Sequence, residues 1–227
     1  MDGRSKFRQI LRKSPVLLAM VLFGLCAKAN NFEGSITFVK QSYYDTTYLH
    51  YYIKNDRIRI DQYDQKGGRL IETLMVDLSE KTLIAVNPRK KLYRPLRIRP
   101  EEEVADKDFE VIKTRNFRMI NGRKCYQWRV RNRRLNSEIA YWVTQTDYRF
   151  FDDLLMLLRR TERAYRFFVQ IPVRDGYFPM LMVERTLLRE ERERLLVDHI
   201  SRDRLSDSLF QIPDDYTELM FSQQILY

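Results

Sequence analysis

His50, His199, Cys26, Cys125 and the two Asp-Asp pairs are the side chains of this sequence with the widest chemical range. Imidazole and thiolate ligate metals, and a Cys–His pair makes a nucleophile when the histidine takes the thiol proton. Metal sites gather several such groups at ligand spacing, and neither histidine has a cluster around it. A Cys125–His pair requires the fold to bring distant residues together. The sequence holds no G-x-S-x-G turn, no phosphate-binding P-loop and no H-E-x-x-H. Asp152-Asp153 reads as a helix start and Asp214-Asp215 as a turn, not as the two acids of a hydrolase. The expectation is a non-enzymatic chain, with no cofactor and no metal ligands.

Binding chemistry is better represented. Bases cluster at Arg89-Lys90-Lys91, at Arg129 with Arg131, Arg133 and Arg134, and at Arg159-Arg160. Each exposed base contributes about 1 kcal/mol near an anionic lipid surface, although solvated faces interspersed with acids are the commoner role. Apolar and aromatic residues on the inward side of a curved sheet suit an apolar guest. The residues placed on such a cavity are Phe38, Ile58, Ile60, Tyr126, Trp128, Tyr141, Leu154 and Leu158, with core packing as the alternative for each.

Residues 1–29 read as a cleaved secretory signal: a basic start, an apolar run from Pro15 to Leu25, and Ala27-Lys28-Ala29 as the cleavage site. A run of about 11 residues spans about 16 Å as a helix, too short for a hydrocarbon core of about 30 Å. No transmembrane helix is therefore expected in the mature chain, and peripheral membrane contact stays open. Leu25 precedes Cys26 where a lipoprotein signal wants a small residue. The formal charge of +10 falls to about +5 without the leader, 35 bases against 30 acids. That mild excess and the export signal disfavour nucleic acid as a partner. Cys125 alone remains in the mature chain, so no intrachain disulfide can form. The expected location is the periplasm or another exported compartment.

The elements that must position these groups are mostly strands. Ile36 and Phe38 alternate with Thr37 and Val39. Tyr48–Lys54 and Arg57–Asp61 flank the turn Asn55-Asp56 as a hairpin. Turns at Gly67-Gly68, Ser79-Glu80-Lys81 and Asn87–Lys90 then separate short strands about ten residues apart, an antiparallel meander. Pro100–Asp108 is an acidic connector. Phe109–Met119 and the strand after Asn121-Gly122 form another hairpin, with Tyr126, Trp128 and Val130 on one face and Cys125, Gln127 and Arg129 on the other. Ser137–Thr144 follows as a strand. Phe150, Phe151, Leu154, Leu155, Leu157 and Leu158 recur at helical spacing, one apolar stripe that packs on a sheet. Tyr165–Val173 reads as a return to strand, Phe178–Leu188 as strand, Glu190–Arg194 as a charged turn, and Leu195–Asp203 as its partner.

Phe32-Glu33-Gly34, Tyr52–Ile60, Pro88 with Lys91-Leu92-Tyr93, Ile120–Cys125 with Trp128, and Phe210–Pro213 with Tyr216 occur in an order that resembles a known family. It is a family of exported bacterial proteins of unassigned function, grouped near the LolA/LolB lipoprotein carriers, and the resemblance covers about residues 32–216. It implies a mainly β (α+β) fold: a curved antiparallel sheet forming an unclosed barrel, its concave face covered by one or more helices. It also implies a single domain over residues 30–216, followed by a tail over 217–227. For the carriers, the space between sheet and helix holds acyl chains. The expected function is accordingly binding of a lipid or lipidated protein in an apolar cavity, or else a structural, protein-interaction module of the cell envelope.

Overall fold

In a computed structural model, residues 32–97 and 108–219 are described. The leader, Cys26, all of the acidic connector but Asp108, and residues 220–227 of the tail lie outside them. Six strands follow one another first: β1 (Gly34–Ser42), β2 (Thr46–Lys54), β3 (Arg57–Tyr63), β4 (Leu70–Asp77), β5 (Thr82–Asn87) and β6 (Leu92–Leu96). The second run is β7 (Phe109–Ile120), β8 (Arg123–Asn132) and β9 (Ser137–Gln145). Two helices, α1 (Phe150–Leu158) and α2 (Arg163–Phe168), precede β10 (Tyr177–Arg185) and β11 (Glu191–Ser201). A 3-10 turn at Asp207–Phe210 and β12 (Thr217–Glu218) end the described chain.

All twelve strands lie in one sheet, ordered β12-β6-β5-β4-β3-β2-β1-β11-β10-β9-β8-β7. Two meanders are joined where β11 pairs with β1, and every pair is antiparallel except β12 on β6. The sheet must curl. Tyr51 on β2 and Phe109 on β7 stand six strand steps apart, about 29 Å in a flat sheet at about 4.8 Å per step. Yet both reach α2, through a Tyr51–Tyr165 hydroxyl contact of 3.0 Å and a Phe109–Phe167 ring contact of 4.8 Å. A six-residue helix is only about 9 Å long. The concave face therefore wraps the helices, and the open ends of the strand order leave the barrel unclosed, as expected from sequence.

Aromatic rings fill the part of the hollow over β1, β9 and β10. Phe178 meets Phe151 at 4.8 Å, Tyr148 at 5.1 Å and Phe38 at 6.3 Å. Phe168 packs edge-on to Tyr141 at 5.0 Å, and Phe32 edge-on to Tyr148 at 4.7 Å. Such edge-to-face pairs match the ring quadrupoles and add to plain area burial. The Tyr141 hydroxyl, buried with its ring, donates to the Ala164 carbonyl at 2.6 Å, which spares a lone polar group in the core.

The structure corrects two sequence expectations. Tyr165–Val173 does not return to strand: its first residues belong to α2, and Tyr165, Phe167, Phe168 and Ile171 are buried. A high content of Phe, Tyr and Val favours strand locally, and packing against the concave face overrides that preference. Glu191–Arg194 likewise lie in β11 rather than in a turn, Arg194 bridging Glu191 at 2.9 Å; the turn before them is Thr186–Glu190.

Gly34 is one position where the backbone admits nothing larger. Its φ is +148°, and a Cβ there would sit 2.0 Å from the Ser201 carbonyl oxygen, at the seam that joins the two meanders. Gly34→Ala is expected to cost on the order of 2–4 kcal/mol. Chemical denaturation would check it; an unchanged midpoint would mean the seam relaxes freely.

Candidate functional site

Beyond the aromatic filling, part of the concave face of the first meander borders a cavity. The two helices have nine and six residues, too few turns to span the whole arc. A cavity of about 230 Å³ remains. Its floor is the inward phase of successive strands: Leu49 and Tyr51 on β2, Ile60 on β3, Leu74 on β4, Leu83 and Ala85 on β5, Leu96 on β6. Its roof is the end of α1 and the start of α2, from Leu158 through Thr161 and Ala164 to Tyr165, and Leu195 on β11 closes one side. Tyr51 and Tyr165, hydroxyl to hydroxyl, form the wall between the filled and open parts. Burial pushes both phenols well above the ordinary tyrosine value, so both stay neutral.

On the sheet side, charged and amide residues enter the lining only where strands leave the core. Lys40 continues the inward phase of Ile36 and Phe38, and Gln62 that of Ile58 and Ile60. Glu72 precedes Leu74, and Glu193 precedes Leu195. Lys40 lies 3.3 Å from Glu193 and 3.7 Å from Glu162. Glu162 is the N-cap residue of α2, but its side chain makes no cap bond; the carboxylate turns to Lys40 instead. The next residue, Arg163, bonds Glu184 on β10 at 3.0 Å. Two ion pairs thus tack the start of α2 onto the sheet beside the cavity.

One cation among several carboxylates leaves the rim net acidic. Burial raises Glu193 above the ordinary glutamate value, opposed by Lys40 and reinforced by Glu162 and Glu184. Burial pulls Lys40 down, but Glu162 and Glu193 outweigh it and its value ends raised.

Ile60 and Leu158 lie on the cavity lining. Phe38, Ile58, Trp128, Tyr141 and Leu154 are buried in the packed core. Trp128 packs on Tyr177 at 4.7 Å beneath the ammonium of Lys113. Tyr126 is 37% exposed on the β7–β8 hairpin. The sequence reading did not single out Lys40, Glu72, Glu162 or Glu193. The signal for three of them was there: a charged residue in the inward phase at a strand end. The basic clusters stand elsewhere, partly neutralised by neighbours: Arg131 bonds Glu138 at 2.6 Å, Arg134 bonds Asp108 at 2.8 Å and Lys91 bonds Asp215 at 2.6 Å.

Cys125 is fully buried, and burial pushes its thiol up. His50 sits on the opposite, convex face beside Tyr63, 4.9 Å between ring centres, and burial lowers its value. Among the described residues no group of three or more His, Cys, Asp or Glu is placed to hold a metal ion. No described helix is long and apolar enough to cross a membrane.

The curled sheet, the helices lodged in it and the residues matched define the class. The chain belongs to the family described as Domain of unknown function (DUF4412), which matches residues 32–216. Among solved structures it is similar to an uncharacterized conserved protein from Thermus thermophilus, at TM-score 0.51 and 8% identity, covering 84% of this chain and 92% of that one. It is also similar to a chain of the Pseudomonas aeruginosa MucA/MucB complex, at TM-score 0.50 and 11% identity, covering 82% of this chain and 58% of that one. This chain thus spans little more than half of the latter's length. A putative outer membrane lipoprotein-sorting protein domain from Vibrio parahaemolyticus overlaps more loosely, at TM-score 0.31 and 8% identity, covering 78% of this chain and 87% of that one. No curated protein matches in sequence. These likenesses are likenesses of fold.

Glu193 offers a test of the rim. Its value is raised in the fold, so its protonation favours folding: that contribution is present below pH about 4.5 and lost as pH rises through the folded value. Lys40→Met removes the cation that offsets this loss near neutrality. The variant is expected to be about 1–2 kcal/mol less stable at pH 7, a partly exposed pair being worth less than a fully buried one. The difference should shrink as pH falls through the raised folded value and Glu193 takes up a proton. Thermal unfolding at several pH values would read it, and a pH-independent difference would refute it.

Proposed function

We propose that this chain is an exported, non-enzymatic carrier that holds an acyl chain of a lipid or lipidated protein in the cavity over the first meander. The single observation that supports this most is an open apolar hollow of about 230 Å³ next to a densely packed aromatic core. Export rests on the leader pattern in residues 1–29 and on the family resemblance.

Size sets what fits. At roughly 30 Å³ per water-sized group, the cavity takes about eight methylene-sized groups. Burying them at about 0.8 kcal/mol each is worth about 6 kcal/mol. That corresponds to a dissociation constant of about tens of micromolar before any contact at the rim. Such an affinity suits a carrier that must release its cargo. The net acidic rim favours a headgroup or flanking peptide with a positive charge; the basic clusters do not line the cavity. An envelope protein partner is the second reading, and the solved MucA/MucB complex, similar in fold, supports it.

Native mass spectrometry of gently purified protein would show bound lipid. A fluorescent fatty acyl probe should bind in the micromolar range, and Ala85→Phe, which places a ring in the cavity, should weaken it at least tenfold without lowering thermal stability. A folded parent that binds no acyl probe and carries a stable protein partner would favour the second reading and refute the first.

A further inference from the structure

The β7–β8 hairpin carries a surface that the cavity does not use. From Val111 to Ser137 the chain has nine Lys or Arg and no Asp or Glu. Antiparallel register sets Phe117 opposite Tyr126 and Met119 opposite Lys124, and directly opposed residues share a face. Phe117 is 58% exposed and Met119 60%. Lys124 lies over both neighbouring rings, 4.3 Å from the centre of Phe117 and 5.3 Å from that of Tyr126. The opposite face of the same ribbon is closed: Ile120 and Cys125 are buried.

The hairpin tip extends past its neighbour, because β8 pairs with β9 only as far as Tyr126. It is held in place all the same. The Asn121 side-chain amide donates to the carbonyls of Val197 and Asp198 at 2.8 and 3.2 Å. At these carbonyls the pairing of β11 with β1 shifts register. The ribbon therefore presents a fixed, not a fraying, outer face. Among the described residues no carboxylate is in ion-pair contact with Arg115, Arg118, Arg123 or Lys124. The bases nearer the other end of β8 differ, since Arg131 is neutralised by Glu138.

We infer that this outer face docks on a membrane surface bearing anionic lipid headgroups. Phe117, Met119 and Tyr126 enter the interface while Lys124 and the flanking Arg115 meet the headgroups. Aromatic and long apolar side chains settle at the level of the headgroups, and exposed bases add attraction that salt screens. A polynucleotide or acidic protein would answer the bases but leave Phe117 and Met119 in water. An uncharged bilayer would take the apolar side chains and leave the bases without partners. None of these residues lines the cavity, so membrane docking and acyl binding are separable.

Co-sedimentation of the purified mature chain with vesicles tests it. Vesicles of phosphatidylcholine mixed with phosphatidylglycerol should bind it, those of phosphatidylcholine alone at least tenfold less, and added salt should release it. F117S/M119S should weaken binding to the anionic vesicles at least tenfold, while its thermal unfolding and its acyl-probe binding match the parent. In an F117W variant, brominated acyl chains should quench fluorescence beyond the quenching seen for the parent. A folded parent that ignores anionic vesicles overturns the inference. So does equal binding of F117S/M119S, or binding to heparin as tight as to vesicles, since either means that charge alone is recognised.

Discussion

The organisation of this molecule follows from a mismatch of lengths. A sheet of twelve strands has to bury a concave face, and the chain between β9 and β10 provides two helices of nine and six residues to do it. Curling the sheet brings distant strands onto the same short helix, which is how β2 and β7 both touch α2. Curling cannot bring every strand there. The strands nearest the helices are sealed by rings, and those at the end of the first meander face a space that side chains do not fill. Packed interiors tolerate few voids larger than a water molecule, so an apolar hollow of about 230 Å³ is more than a packing fault.

Polar contacts tie α2 to the sheet between the filled and open parts. Tyr51 meets Tyr165, Tyr141 meets the Ala164 carbonyl, and Lys40 and Glu184 hold the residues that start α2. These contacts fix where the helix stops relative to the sheet, hence where the cavity begins. The same contacts also make this the adjustable edge of the roof. Ion pairs at partly exposed positions are weak, whereas the aromatic packing behind them is not, so any widening for a longer guest would begin at Glu162 and Arg163. The acyl-binding proposal and the local weakness of the roof are in this sense one feature.

Much of the scaffold was legible in the sequence, and the reason is local. The hairpins at Asn55-Asp56 and Asn121-Gly122 announce themselves by turn residues whose backbones have positive φ, 54° at Asn55 and 47° at Asn121. Phe150–Leu158 was legible because its apolar spacing is helical over the whole element. α2 was not: six residues rich in Phe and Tyr, begun by a glutamate whose side chain does not cap the helix, carry no helix signal. The cavity was legible only at Ile60 and Leu158. Inward-pointing residues such as Phe38, Tyr141 and Leu154 obey the same alternation, and nothing local distinguishes an inward residue under a helix from one under empty space.

The residues that carry the family resemblance sharpen this point. Phe32 packs on Tyr148, Gly34 admits the Ser201 carbonyl, Asn121 holds β11, and Phe210 lies under the guanidinium of Arg57 at 5.2 Å. Each closes a seam or an end of the curled sheet and none of these four lines the cavity, although Ile60, at the end of the Tyr52–Ile60 segment, does. A resemblance resting on such residues therefore transmits the shape of the container and says little about its contents. The contents are set by a different group, the side chains on the inward phase of β3 to β6 and the polar residues where those strands leave the core. These can change without loosening a seam. The lining of the hollow is thus free to change while the fold stays, and Ala85, Leu96, Glu72 and Lys40 are positions at which such change would act.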